Sequence, residues 1–333
     1  MRVFVTGSTG FVGSHIVDIL VQNYPPSDLG LLVRSEDKLH FLGSVKSEIN
    51  IFKGDITDSN LLTESISSFN PEIIIHSAAL ADDWAPISLL MEVNAQGTHN
   101  VIDAMVQSNS ADFLIHVSSS GVYPRQEGVY IDEDFSYGPF GNYHKSKLLA
   151  EKNVKEAMNN GFIRGTIIRP PNVMGIRDFT HMARICQVIK NGKFPMIRHG
   201  RARQTWVAAL DLARAILLII NQQEKANGQI YNIKSFEITV KDLYDQITEI
   251  LGINTSPKNY PYSLAYSVGL ISELLGKIRR KPSTLNRYRI IKFGKDRLFD
   301  DSKIRSELGY EPKETAEETI SRTVKWLQKE SIV

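Results

Sequence analysis

Cysteine is nearly absent from this sequence: Cys186 is the only one in 333 residues. An internal disulfide framework is therefore excluded, a reducing compartment is suggested, and a buried core thiol is the ordinary reading of Cys186. Excess charge of either sign is also missing, because 39 Lys+Arg stand against 37 Asp+Glu. No overall field draws the chain to nucleic acid, and no polyanion partner is implied. The opening "MRVFVTG" lacks a basic n-region, a long apolar core and a cleavage site, so no signal peptide is expected and the default address is the cytoplasm. The eight histidines include no His-x-x-x-His pair with acidic support, and His76 and His116 fall at strand ends inside expected core, so no metal is expected. No repeat period of a solenoid or propeller is visible.

What is present is an apolar share of 42%, enough for a full core in one large domain or two medium ones. Short runs rich in Val, Ile and Leu recur at 2–5, 29–33, 49–52, 72–76, 112–117 and 165–169, each of strand length. Between them lie amphipathic segments of helical length, at 11–23, 59–69, 87–108 and 142–160. Strands apolar on both faces and separated by helices indicate an α/β fold with a doubly wound parallel sheet of the Rossmann kind. Past residue 170 the pattern turns mostly helical. Residues 1–169 therefore read as a dinucleotide-binding domain, 202–233 as a return of the chain to its sheet, and 170–333 mainly as a smaller substrate domain.

The first strand runs straight into "TGSTGFVG" (6–13), with Gly7, Gly10 and Gly13 at three-residue spacing. A glycine turn between first strand and first helix lets backbone N–H groups approach a pyrophosphate, and the helix N-terminus adds a favourable dipole. A nucleotide site is expected there, involving Gly7, Thr9, Gly10, Phe11, Val12 and Gly13. Further on, "YHKSK" (143–147) puts Tyr143 and Lys147 one helical turn apart on one face. The same spacing recurs in "YRIIK", at Tyr288 and Lys292, so spacing alone does not choose between the pairs.

With this glycine spacing and the Tyr-x-x-x-Lys pair, the chain resembles the extended short-chain dehydrogenase/reductase superfamily, the NAD-dependent epimerase/dehydratase family. Matching pieces are "GDITD" (54–58), "HSAA" (76–79), "EVNAQGTHNVIDA" (92–104), "VSSSGVY" (117–123), Tyr143/Lys147 and "RPPNVMG" (169–175). The resemblance implies that Ser119, four residues before the tyrosine of the "VY" pair, completes a triad with Tyr143 and Lys147. It also implies cofactor contacts from Asp55, Ile56, Ala78, Ala79, Asn94, Pro170 and Val173, with Asp55 near the adenine and Asn94 as a structural asparagine. Tyr143 follows the fifth expected strand at the distance where a helix returns to the carboxyl edge of the sheet, whereas Tyr288 has no strand or serine motif before it. The pair Tyr143 and Lys147 is therefore expected to be reactive, and "YRIIK" structural.

Arg34 ends the second strand where NAD-preferring relatives carry an acid, and an arginine there accommodates a 2′-phosphate. NADP is the expected cofactor, with Lys38 assisting; Glu36 and Asp37 stand close enough to reach a ribose diol, which keeps NAD open. In nucleotide-sugar enzymes the segment matching "QTWVAALDLA" begins with an arginine for the diphosphate and has a histidine at position 208. Gln204 and Ala208 stand there, with Arg201 and Arg203 as adjacent substitutes. The C-terminal third instead resembles the 3β-hydroxysteroid dehydrogenase-like branch. The expected activity is interconversion of a secondary alcohol and a ketone on a largely apolar small molecule, sterol-like or a β-hydroxy/β-keto acid. Two rivals are a nucleotide-sugar epimerase or dehydratase that keeps NAD bound, and a non-catalytic dinucleotide sensor. The sensor reading predicts loss of the Ser-Tyr-Lys set. By resemblance the chain forms a homodimer, pairing helices 87–108 and 142–160 with those of a second copy. The apolar stretch 260–275 is too short for the ~20 residues that span a bilayer and ends in "KIRRK" (277–281). An ordinary core helix with a solvated basic end is expected, with peripheral membrane contact as the rival.

Overall fold

A computed structural model describes residues 1–82, 85–279 and 287–333, without the side chains of 37–38, 274–279 and 288–289. The expected apolar runs form the strands β1 (Val3–Thr6), β2 (Leu29–Val33), β3 (Asn50–Lys53), β4 (Ile73–His76) and β5 (Phe113–Val117). Helices α1 (Phe11–Asn23), α2 (Ser59–Phe69), α3 (Ile87–Leu90) and α4 (Gly97–Ser108) lie between them, with a π-helical stretch at Met91–Gln96 joining the last two. The chain continues through β6 (Tyr130–Ile131), α5 (Asn142–Asn159), β7 (Arg164–Arg169), β8 (Asn172–Met174), α6 (His181–Lys190), β9 (Met196–Ile197), β10 (Arg203–Ala208), α7 (Ala209–Asn221), α8 (Gln223–Ala226) and β11 (Ile230–Asn232).

Seven strands make one parallel sheet in the order β11-β7-β5-β4-β1-β2-β3. The chain steps outward one way through β1, β2 and β3 and then crosses back to β4, so a crevice opens at the carboxyl ends of β1 and β4. Side chains alternate between the two faces. On one face Val3, Val5, Ile73, Ile75, Phe113 and Ile115 pack beneath α1 and α7; on the other Phe4, Leu32, Ile74, Leu114 and Ile167 pack beneath α2, α4 and α5. Both faces are covered, which is why these strands read as continuous apolar runs.

Of the segment expected to return to this sheet, Ile230–Asn232 does so as an edge strand. Arg203–Ala208 instead pairs with β8 and with β12 (Phe236–Thr239) in a separate three-stranded sheet. That sheet belongs to a second core, where Met174, Met182, Cys186, Trp206 and Leu243 pack with α6, α9 (Val240–Leu251) and the C-terminal helix. Cys186 is a buried thiol, pushed up to about 12 by burial and by the Asp178 charge. The remainder comprises β13 (Asn259–Tyr260), α10 (Tyr262–Arg279), α11 (Arg287–Gly294), β14 (Leu298–Phe299), α12 (Ser302–Leu308) and α13 (Ala316–Lys329). The ordinary core helix expected over 260–275 is not what forms. Ala265 and Gly269 of α10 turn inward, while Leu264, Val268, Leu270 and Ile271 stay exposed, because the described part of α10 packs on one side only.

Candidate active site

The turn after β1 is built from its glycines. Gly7 has φ +73°, and a Cβ there would lie 2.5 Å from the backbone nitrogen of Ala78. A Cβ on Gly13 would fall 2.0 Å from the Gly7 carbonyl oxygen. Glycine is thus required at both positions by close backbone approach, and at Gly7 also by a left-handed conformation. The Gly10 N–H donates to the Gly7 carbonyl (2.9 Å), closing the turn just before α1. The first turn of α1 has neither a side-chain cap nor an acid. Its N-terminal N–H groups and dipole therefore face the crevice without a competing protein anion, a cradle that suits the pyrophosphate of a dinucleotide.

Around this cradle, Thr9, Phe11, Val12 and Ala78 are half-buried and Ala79 is exposed. Asp55 forms its own turn, accepting from the N–H and hydroxyl of Thr57 (3.0 and 2.9 Å). Ile56 is buried against Gly97 of α4. The Arg34 side chain is 79% exposed at the end of β2 and approaches Asp55 at 3.8 Å. The Lys38 side chain lies outside the described residues.

The reactive candidates gather at the carboxyl end of β5. Ser119 follows that strand by two residues, half-buried, and its hydroxyl accepts from the Gly121 N–H at 3.0 Å. Tyr143 and Lys147 sit one turn apart on α5. Lys147 is 2% exposed, and its ammonium donates to the Val117 carbonyl at the strand end (2.7 Å). Burial lowers Lys147 to about 8, although the Glu151 charge one turn further along the helix opposes that shift. Pro170, at the end of β7, accepts from the Ser120 N–H (2.9 Å), and Val173 is half-buried on β8. Lys292, from the other Tyr-x-x-x-Lys pair, instead hydrogen-bonds His181 (2.9 Å) in the C-terminal part. The Tyr288 side chain lies outside the described residues.

Asn94, expected as the structural asparagine of the family, sits in a network of protein hydrogen bonds. Its amide oxygen accepts from the Leu80 N–H (2.7 Å), and its nitrogen donates to the Leu80 carbonyl (3.1 Å) and to Ser146 (2.9 Å). Ser146 in turn donates to the Tyr143 carbonyl (2.7 Å). Buried in the π-helical stretch, Asn94 thus ties the loop after β4 to the helix carrying Tyr143.

Two charged residues not singled out in the sequence, Glu151 and Arg169, pair in the core, with Glu151 one turn beyond Lys147 on α5. Glu151 accepts from Ser118 (2.7 Å), Tyr137 (2.9 Å) and the Nε of Arg169 (3.1 Å). Arg169 also donates to Tyr137 (2.9 Å), to Tyr123 and to the Glu133 carbonyl. Both charges are essentially inaccessible to water. Burial pushes the Glu151 carboxyl up, but the bonds and charge of Arg169 hold it on balance below its usual value. The signal for it was present: Tyr143, Lys147 and Glu151 follow each other at steps of four.

His76 lies between the hydroxyls of Thr6 (2.7 Å) and Thr98 (2.9 Å), and burial, then the Lys147 charge, lowers it to about 3. Its neighbour His116 is also held neutral by burial. Among the described residues, no group of three His, Cys, Asp or Glu is placed to hold a metal ion.

Residues 3–233 match the model of the NAD dependent epimerase/dehydratase family. The chain belongs to that family. It is an NAD(P)-dependent enzyme of the short-chain dehydrogenase/reductase type, in keeping with the glycine cradle after β1. Among curated relatives, it is 26% identical to N-acetyl-α-D-glucosaminyl-diphospho-ditrans,octacis-undecaprenol 4-epimerase of Escherichia coli O157:H7, over 98% of this chain and 95% of that one. It is 24% identical to sterol-4-α-carboxylate 3-dehydrogenase, decarboxylating, of Candida albicans, over 98% of both chains. Among solved structures it is similar to the dTDP-glucose 4,6-dehydratase DesIV of Streptomyces venezuelae with NAD and TYD bound, with a TM-score of 0.78 and 23% identity over 99% of this chain and 97% of that one.

Proposed function

We propose that this family member interconverts a secondary alcohol and a ketone on a largely apolar substrate, sterol-like or a β-hydroxy/β-keto acid, with NADP(H) as the preferred cofactor. The observation that supports the redox reading is that Lys147, one turn from Tyr143 on α5, is buried against the carbonyl of Val117, two residues before Ser119. When bound, the nicotinamide supplies the acceptor or donor of hydride. Ser119 donates a hydrogen bond to the substrate oxygen and fixes it within reach of Tyr143. In oxidation Tyr143 takes the alcohol proton as hydride leaves the carbon; in reduction it returns that proton to the oxygen. A free tyrosine titrates near ~10, so the phenolate needs help at neutral pH, and the Lys147 ammonium lowers its cost by electrostatic attraction.

The apolar substrate class is favoured by what replaces the diphosphate clasp. Gln204 is buried on β10 and spends its amide nitrogen on the Lys295 carbonyl (2.7 Å). Arg203, the nearest substitute, is the next residue on the same strand, so its side chain leaves from the other face, where Glu237 and Asp296 approach it at 3.9 Å each. Kinship to a sterol-carboxylate dehydrogenase supports the same reading. The NADP preference rests on Arg34, whose exposed guanidinium stands at the β2 edge of the cradle. A second reading, in which hydride returns to a sugar substrate and NAD stays bound, is favoured by kinship to the 4-epimerase.

The test begins with purified protein checked for retained cofactor, then titrated separately with NADPH and NADH by reduced-nicotinamide fluorescence. An empty site that binds NADPH, together with turnover of hydroxysteroids or β-hydroxy acids, supports the proposal; protein carrying locked-in NAD and acting on a nucleotide or polyprenyl-diphosphate sugar overturns it. Tyr143→Phe is expected to lower turnover by ~100-fold or more while cofactor affinity stays unchanged. Retained turnover would remove Tyr143 from its role.

A further inference from the structure

Over its described side chains, 262–273, helix α10 contacts the protein along one side only. Ala265 and Gly269 face inward, Tyr262 and Tyr266 stack on one another (6.0 Å between centroids), and these residues pack with Ile197 and Ile290. On the outer side Leu264, Val268 and Ile271 follow at steps of four and three, so they share a face. They are 52%, 43% and 57% exposed, with Leu270 beside them at 38%. Scattered exposed leucines need no explanation, but a row of aliphatic side chains on one helix does.

The sequence that follows this face is one-sided in charge. Residues 274–289 hold Lys277, Arg279, Arg280, Lys281, Arg287 and Arg289 and no Asp or Glu. The acid just before them, Glu273, is engaged by the backbone N–H and the Nε of Arg287, at 2.8 Å each. An apolar helical face that leads into a stretch of cations with no acid among them complements a surface with apolar depth and anionic groups, which is the interface of an anionic bilayer. The 18 residues of α10 meet the hydrocarbon side-on, because no helix among the described residues is long and apolar enough to cross a membrane.

We propose that the outer face of α10 seats this enzyme on an anionic phospholipid bilayer, with the helix lying in the interface. The seat connects through α11 to strand β10, where Gln204 replaces the diphosphate clasp. Helix α11 packs against α10, so closely that a Cβ on Gly294 would lie 2.9 Å from the Tyr262 ring. From that helix Lys292 bonds His181, which stacks on Trp206 of β10 (5.4 Å), and the Lys295 carbonyl just beyond it holds Gln204. An apolar substrate dissolved in the bilayer would thus enter close to the strand face that carries Gln204 and Trp206. The docking proposal itself does not depend on the substrate reading, and its test contains no substrate.

The test is flotation of the full chain with phosphatidylglycerol/phosphatidylcholine vesicles and with phosphatidylcholine vesicles, at low and at high salt. The wild type is expected to float with the anionic vesicles at low salt and to be released by salt. Each cation near such a surface is worth roughly fivefold in partitioning, so Lys277→Glu with Arg279→Glu should weaken binding by at least about 25-fold. Leu264→Gln with Val268→Gln and Ile271→Gln, all at exposed positions, should weaken it by about tenfold or more while the circular dichroism spectrum and NADH binding stay unchanged. No flotation of the wild type at low salt overturns the proposal, as does undiminished flotation of the triple variant. Conversion of a dimer to a monomer by the triple variant overturns it too, because a second copy would then be the occupant.

Discussion

Replacing Glu151 by Gln should separate what holds the triad in place from what performs the chemistry. The wild-type carboxylate meets Arg169, Ser118 and Tyr137 in the core. The amide would leave the Arg169 guanidinium, 1% exposed, without its countercharge. Breaking such a buried pair on one side costs ~3–5 kcal/mol, and at about 2 °C per kcal/mol for a chain of this size Tm should fall by roughly 6–10 °C. Glu151→Gln combined with Arg169→Gln removes both charges and should cost less than the single change. The second consequence concerns Lys147. Its folded-state value of about 8 lies below the ordinary 10.5, so between those values the folded protein binds fewer protons than the unfolded chain. That burial costs about 3 kcal/mol of stability below pH 8, and the cost fades as pH rises toward 10.5. Because the Glu151 charge opposes the shift, Glu151→Gln should move the Lys147 titration to lower pH. The assay is NADH affinity against pH, read by fluorescence: the wild type should lose affinity as pH rises through about 8, and the variant should lose it earlier. An unmoved inflection in a folded variant would refute the coupling, and a double variant less stable than the single one would refute the ion-pair account.

Gly7→Ala should abolish dinucleotide binding and destabilise the fold, since the added Cβ meets the Ala78 backbone at 2.5 Å in a left-handed conformation; calorimetric titration with NADH checks the first effect and thermal melting the second. Arg34→Ala should weaken NADPH binding by about tenfold or more and leave NADH within about twofold, as expected for loss of one charge-assisted contact to the 2′-phosphate. Equal losses for both cofactors would mean that Arg34 acts through the turn around Asp55 instead.

Much of the cofactor half was legible because its signals are local. The continuous apolar runs fixed β1 to β5 to within about a residue or two, and three glycines at three-residue spacing after the first run located the cradle. Local spacing also offered Tyr143/Lys147; Tyr288/Lys292 has the same spacing, and only the strand and serine motif that precede Tyr143 separated the two pairs in the sequence. The fold gives the two lysines different surroundings through contacts with distant segments: Lys147 is buried at the end of β5, whereas Lys292 bonds His181.

The sequence alone determined the fold class, the glycine turn and the triad candidates, because each depends on periodicity or on neighbours within a few residues. Tertiary structure decided the rest. Glu151 and Arg169 meet across eighteen positions of chain, between a helix and a strand. Asn94 ties Leu80 to Ser146, which lies fifty-two positions beyond Asn94 along the chain. Residues 203–208 joined β8 and β12 instead of the main sheet. The apolar row of α10 stayed uncovered because its helix packs on one side. A hydrophobic or charged side chain announces what it needs, but only the assembled chain determines whether another segment arrives to satisfy it.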